Sequence, residues 1–284
     1  MGGDYDFGAR DRKVDVERLR DIAYSIRKDI VRELGESKSG HWGGSLSVVE
    51  ILTALYFYKM RHNPSNPAWA DRDRLLLSKG HAAPALYAAF ANMGYITHDE
   101  MMTLRKHGSR LQGHPDPHKL PGVEIPGGPE GIGLSESIGM ALAARLDGKD
   151  TRVYVIMGDG EQDEGEVWEA AMAAAKFGLD HLTAIIDKNG LQQEGATGEI
   201  MPTDSLAEKW RAFRWNVIEV DGHSIRDIMG ALDAAEKAGG VPTIIIASTV
   251  KGRGVPFMEG NVKYHAPVLD AKTVQEAMEK VQRV

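Results

Sequence analysis

The sequence contains no cysteine among its 284 residues, which excludes a disulfide framework, thiolate metal sites and a cysteine nucleophile. It also has no basic block. Its 34 lysines and arginines stand against 41 acidic residues, a net charge of −7, so binding to nucleic acid through neutralised phosphates is not expected. No apolar run approaches the roughly 18 residues a membrane helix needs, and the opening MGGDYDFGARDRK lacks a signal peptide's apolar stretch. Asp6 stands where an N-myristoylation signal takes serine or threonine. The expectation is a cytoplasmic protein without a nucleic-acid or membrane partner, with residues 1–13 a loose arm and 14–284 one domain.

What is present is ordinary globular composition, 42% hydrophobic and 26% charged. Val16, Leu19, Ile22, Ala23, Ile26, Ile30 and Leu34 recur at spacings of three and four, which predicts an amphipathic helix over 14–34 that stops at Gly35. A turn rich in glycine and histidine, SKSGHWGGS, leads into a predicted helix over 45–60. Residues 61–74 read as loop, 75–77 as a short buried strand and 82–93 as helix. A glycine- and proline-rich loop fills 107–133, a length that in a compact domain usually carries function. After a helix over 136–146 the chain alternates. Strands are predicted at 152–157, 182–187, 216–220 and 243–249, with helices at 166–177, 205–213 and 225–238. Alternation of this kind means an α/β fold, a parallel sheet with helices on both faces.

In open α/β sheets ligands sit beyond the carboxyl ends of the strands. One strand ends in Gly158-Asp159-Gly160, and 189 − 159 = 30 residues later Asn189 follows the next strand. A carboxylate, an amide oxygen and a backbone carbonyl are the hard ligands that Mg²⁺ or Ca²⁺ prefers, and phosphate oxygens commonly complete such a shell. Gly-Asp-Gly alone is more often a tight turn. Between a strand and a helix, with Asn189 on the neighbouring strand end, it points to a diphosphate site. No GxxxxGK[ST] is present.

These residues resemble the transketolase family. GDGEQDEGEVWEAAMAAAKFGLDHLTAIIDKNGLQ is similar to its thiamine diphosphate motif, and SKSGHWGGSLS, LSKGHAAPALYA, GSRLQGHPDPHKLPGVE and VKYHAP resemble further blocks in the family's order. The resemblance implies thiamine diphosphate as cofactor, with Asp159, Asn189 and the Leu191 carbonyl holding a divalent cation on it. It implies that Gly128, Gly158, Gly160 and Glu164 belong to the cofactor site, Glu164 at the interface with its other half. It also implies that His41, His81, His114 and His265 face cofactor and sugar. Imidazole titrates near neutrality and suits alternating proton transfers. By contrast His62, His98, His107, His118 and His181 read as solvated surface groups, and His223 as part of a structural turn.

Glu130 and Ile132 stand where the family usually has leucine and glutamine, and a carboxylate at that place disfavours a second anion and favours a hydroxyl or a cation. VKYHAP is one glycine shorter than the usual HGAP. The family's catalytic glutamate lies in a separate pyrimidine-binding domain, and Val284 falls where its diphosphate-binding domain ends. The resemblance therefore implies the N-terminal subunit of a split transketolase, moving a two-carbon ketol unit from a ketose, usually phosphorylated, to an aldose. A C-terminal pyrimidine-binding subunit would be its partner, two copies of each forming a heterotetramer. Two alternatives stay open at this point: the alpha subunit of a 2-oxoacid dehydrogenase, and a non-catalytic diphosphate-binding module.

Overall fold

A computed structural model describes residues 6–203 and 205–284. Helix α1 (Val16–Ser37) is followed by α2 (Trp42–Ser47), α3 (Val49–Ala54), strand β1 (Arg74–Leu77), α4 (Ala83–Met93) and α5 (His98–Met101). The chain continues through α6 (Gly133–Leu146), β2 (Val153–Gly158), α7 (Gly165–Phe177), β3 (Leu182–Lys188), α8 (Thr197–Ile200) and α9 (Leu206–Ala212). It closes with β4 (Asn216–Asp221), α10 (Ile225–Lys237), β5 (Thr243–Ser248) and α11 (Ala271–Lys280). The five strands lie in the order β1-β2-β3-β5-β4, every pair parallel.

Strand side chains alternate between two cores, as the period of two requires. Tyr154, Ile156, Ile185 and Ile245 pack with Leu19, Ile26, Leu52 and Phe90 of α1, α3 and α4 on one face. Val153, Val155, Met157 and Ile186 pack with Leu134, Val167, Ala171 and Trp210 of α6, α7 and α9 on the other. Burial on both faces explains the continuously apolar central strands. The α/β reading of the sequence is thus the architecture.

Local chemistry sets the ends of α1. Asp15 caps it by accepting from Glu17 N at 3.3 Å, and Lys38 closes it in the left-handed region at φ 51°. The single helix expected over 45–60 is instead α2, α3 and a π-helical turn, Leu55–Lys59. Periodicity cannot see such breaks, because all three pieces are buried on every side. Helix α11 has no counterpart among the sequence expectations; it packs on α1 through Val274, which lies against Gly35.

The loose arm expected over 1–13 needs correction where it is described, residues 1–5 lying outside the described residues. Arg10 Nε donates to Asp73 at 2.8 Å, and Arg10 Nη1 to Asp150 at 2.7 Å. Arg12 is buried and donates to the carbonyls of Tyr58, Phe7 and Met60. Carbonyls left open by the π-helical turn and the chain after it bind this segment, a tertiary reason that composition does not carry.

Candidate active site

Strand β2 ends at Gly158, opposite Asp187 of β3, so the two turns that follow lie side by side. Asp159 Oδ1 accepts from Gly160 N at 2.9 Å and Oδ2 from Gly190 N at 2.6 Å. The carboxylate is thereby pinned to the turn that carries Asn189. Asn189 donates through Nδ2 to Asp187 at 3.2 Å, and its Oδ1 accepts from Leu191 N at 3.1 Å. Burial, then the charge of Asp187, pushes the Asp159 carboxyl up to about 6. Such a group gains from a nearby cation.

Over these turns opens a cleft of about 560 Å³. His41, His81, His114 and His265 line it with Gly128, Gly158, Asp159, Gly160, Glu164, Asn189 and Leu191, so every residue nominated for the site meets in one place. The His41 ring lies 5.1 Å from that of His81, 5.1 Å from that of His265 and 6.3 Å from that of His114, between centroids. Burial pushes His41 down to about 3 and His265 down to about 4, the latter aided by Lys251. Both rings are therefore neutral at pH 7. Nδ1 of each is buried without a hydrogen-bond partner among the described residues.

The other histidines divide differently from expectation. His98, His107 and His118 are exposed, in line with the sequence reading, and His181 is half-buried. His62, expected at the surface, is only 1% exposed: its Nε2 donates to the Tyr56 carbonyl at 2.9 Å, and its Nδ1 meets Tyr95 Oη at 3.0 Å. His223 joins Asp221, Glu50 and Val250 through hydrogen bonds at a turn, in keeping with a structural role.

Three charged residues of the site carry no sequence signal strong enough to nominate them. Lys79, just past β1, makes a buried ion pair with Asp187. Lys251, past β5, donates to the carbonyls of Leu191 and Gln192 at 3.0 and 3.1 Å. Glu161 accepts from Ser78 Oγ, from Gly131 N at 2.8 Å and from Gly158 N at 2.9 Å, tying the 127–133 turn to the ends of β1 and β2. The available signal is position: Lys79 lies two residues before His81 in LSKGHA, and Lys251 follows a strand end.

The residues fit a diphosphate with its cation. Two ammonium groups, Lys79 and Lys251, line the cleft with the Asp159 carboxylate, and Asp159, Asn189 and the Leu191 carbonyl form an all-oxygen set suited to a hard cation. A Cβ on Gly128 would meet no atom of the chain within 4 Å, so this glycine opens the cleft itself. Glu130 turns into the cleft, whereas Ile132 is 42% exposed and lies outside it.

Residues 19–282 match the family described as transketolase, thiamine diphosphate binding domain. The chain belongs to the transketolase family. Its thiamine diphosphate-binding domain is 42% identical over 273 residues to the 6-deoxy-6-sulfo-D-fructose transketolase subunit SqwG of a Clostridium strain, covering 96% of this chain and 98% of that protein. It is 43% identical over 266 residues to a protein of Phocaeicola vulgatus named as one subunit of an apulose-4-phosphate transketolase, covering 94% of each. Among solved transketolases, that of Campylobacter jejuni superposes with a TM-score of 0.89 at 32% identity, covering 94% of this chain and 43% of that one. The chain thus spans about two fifths of such full-length structures. No helix among the described residues is long and apolar enough to cross a membrane.

Proposed function

We propose that this chain is the diphosphate-binding subunit of a two-chain transketolase, working with a pyrimidine-domain partner to move a two-carbon ketol unit from a ketose to an aldose. The carrying observation is the Asp159 carboxylate pinned in a cleft lined by four imidazoles. Relatives named as subunits are matched over nearly their whole length, which supports division of the enzyme between two chains. Two copies of each chain is the stoichiometry this reading carries. The 2-oxoacid dehydrogenase alternative loses to the family match, and a non-catalytic module would have no use for four clustered imidazoles.

In this reading Asp159, Asn189 and the Leu191 carbonyl would hold Mg²⁺ or Ca²⁺, while Lys251 would offset remaining phosphate charge and Lys79 stays paired with Asp187. When bound, thiamine diphosphate supplies the electron sink for carbon–carbon cleavage. The protein handles protons. Neutral His41, His81, His114 and His265 can accept a proton from a substrate hydroxyl and return it, which neutral rings do and imidazolium cannot. Glu164, exposed at the start of α7, is placed to meet the partner subunit. Sugar or sugar-phosphate substrates follow by analogy with the relatives' names.

Titration of thiamine diphosphate into the assembled complex tests the metal assignment. Binding should require Mg²⁺ or Ca²⁺, weaken at least about tenfold in Asp159→Asn, and vanish with chelator, tenfold being about 1.4 kcal/mol. Unchanged binding in Asp159→Asn contradicts it.

A further inference from the structure

Glu130 occupies the turn before α6, where family resemblance leads one to expect leucine, and its Oε1 lies 2.9 Å from His81 Nδ1. The close contact with His81, with help from the charges of Lys79 and His265, holds the Glu130 carboxyl below the usual range. It is therefore a carboxylate at neutral pH, and a carboxylate only accepts. A proton held between the two groups can therefore come only from Nδ1. Burial holds His81 below its ordinary value, so the ring is neutral and Nε2 keeps its lone pair. On that side the ring faces Gly44 at the start of α2, where an added Cβ would come within 3.2 Å of Nε2. Glycine there leaves the imidazole free to approach, and Gly44 itself lines the cleft.

We infer that Glu130 is a positioning residue that fixes His81 as the Nδ1–H tautomer, leaving Nε2 as the proton acceptor offered to a substrate hydroxyl. When Nε2 takes that proton the ring becomes imidazolium, and the carboxylate 2.9 Å away offsets the new charge. The proton then returns to product by the same nitrogen. The substrate half of the inference rests on the transketolase reading; the tautomer half does not.

Two measurements separate them. In ¹⁵N-labelled chain at pH 7, two-bond ¹H–¹⁵N spectra of the imidazoles should show His81 protonated at Nδ1. Glu130→Leu should shift it to Nε2–H or a mixture, whereas Glu130→Gln, whose amide oxygen still accepts, should keep it. In the assembled enzyme Glu130→Leu should lower kcat about tenfold or more with KM within about threefold, and Glu130→Gln should restore most of the loss. Nε2–H in the unaltered chain overturns the inference, as does a Glu130→Leu variant with unchanged tautomer or unchanged kcat. If the tautomers behave as stated but the unaltered complex transfers no ketol unit, the positioning stands and the proposed function falls.

Discussion

Lys79 and Asp187 form a buried ion pair, Nζ to carboxylate 2.5 Å, that reaches from beyond β1 to the end of β3 across the end of β2. Asp187 also accepts from Ser47 Oγ, Asn189 Nδ2 and Thr249 Oγ1, so one carboxylate holds together four segments around the cleft. Removing one partner leaves an uncompensated buried charge, which costs about 3–5 kcal/mol. Lys79→Met should therefore lower the unfolding free energy by that amount in urea titrations. Replacing both residues with apolar ones should recover part of the loss.

Close backbone packing shapes the wall that carries Glu130. A Cβ on Gly80 would lie 1.6 Å from the Gly127 carbonyl oxygen, and neither backbone can yield without moving the 127–133 turn. Gly80→Ala should cost at least about 1–3 kcal/mol and weaken thiamine diphosphate binding. Gly139, exposed in α6 with nothing within 4 Å of an added Cβ, is the matched control. There alanine should stabilise by about 0.5–1 kcal/mol, as read by the same titration.

Strand and helix alternation, and Asp159 and Asn189 beyond adjacent strand ends, are legible in the sequence because periodicity and strand-end position are local signals, whereas the four histidines, Gly128 and Glu164 are nominated only by the family resemblance. What is illegible depends on distant partners. The burial of His62 follows in part from Tyr95, 33 residues on, closing over it, and the docking of Arg12 follows from carbonyls near residue 60. Neither signal lies within a window of sequence. Glu130 stands out in the sequence as a departure from the family pattern, but only the fold shows that it meets His81. Lys251 does not stand out, because a lysine after a strand is usually solvated, whereas this one is buried and pushed down to about 8, first by burial and then by Lys79.

Acid should destabilise the fold through His62. Burial pushes this ring down to about 3, against an ordinary value of 6.5. The folded state therefore binds the proton more weakly than the unfolded one. The stability associated with the neutral ring is fully present above about 6.5 and is lost as pH falls from there toward 3, at up to about 1.4 kcal/mol per pH unit. Urea titrations at pH 7 and 5.5 should show a steeper loss in the unaltered chain than in His62→Gln. Parallel pH dependences would contradict the neutral buried ring.

His114 stands apart from the other cleft imidazoles, exposed on the long loop and 6.3 Å from His41. Its position at the mouth suits contact with the sugar more than with the diphosphate. His114→Ala should cut kcat/KM for a ketose donor by about 10²-fold or more while thiamine diphosphate affinity changes little. Untouched turnover would remove it from the site.

Ketol transfer measured with the chain alone, the pyrimidine-domain partner alone and the two together, each with Mg²⁺ and thiamine diphosphate, tests the central claim most directly. Product carbon lengthened by two should form only when both chains are present, and should disappear with Asp159→Asn. A stable complex that transfers no ketol unit from any ketose, or equal turnover by the partner without this chain, would contradict the account.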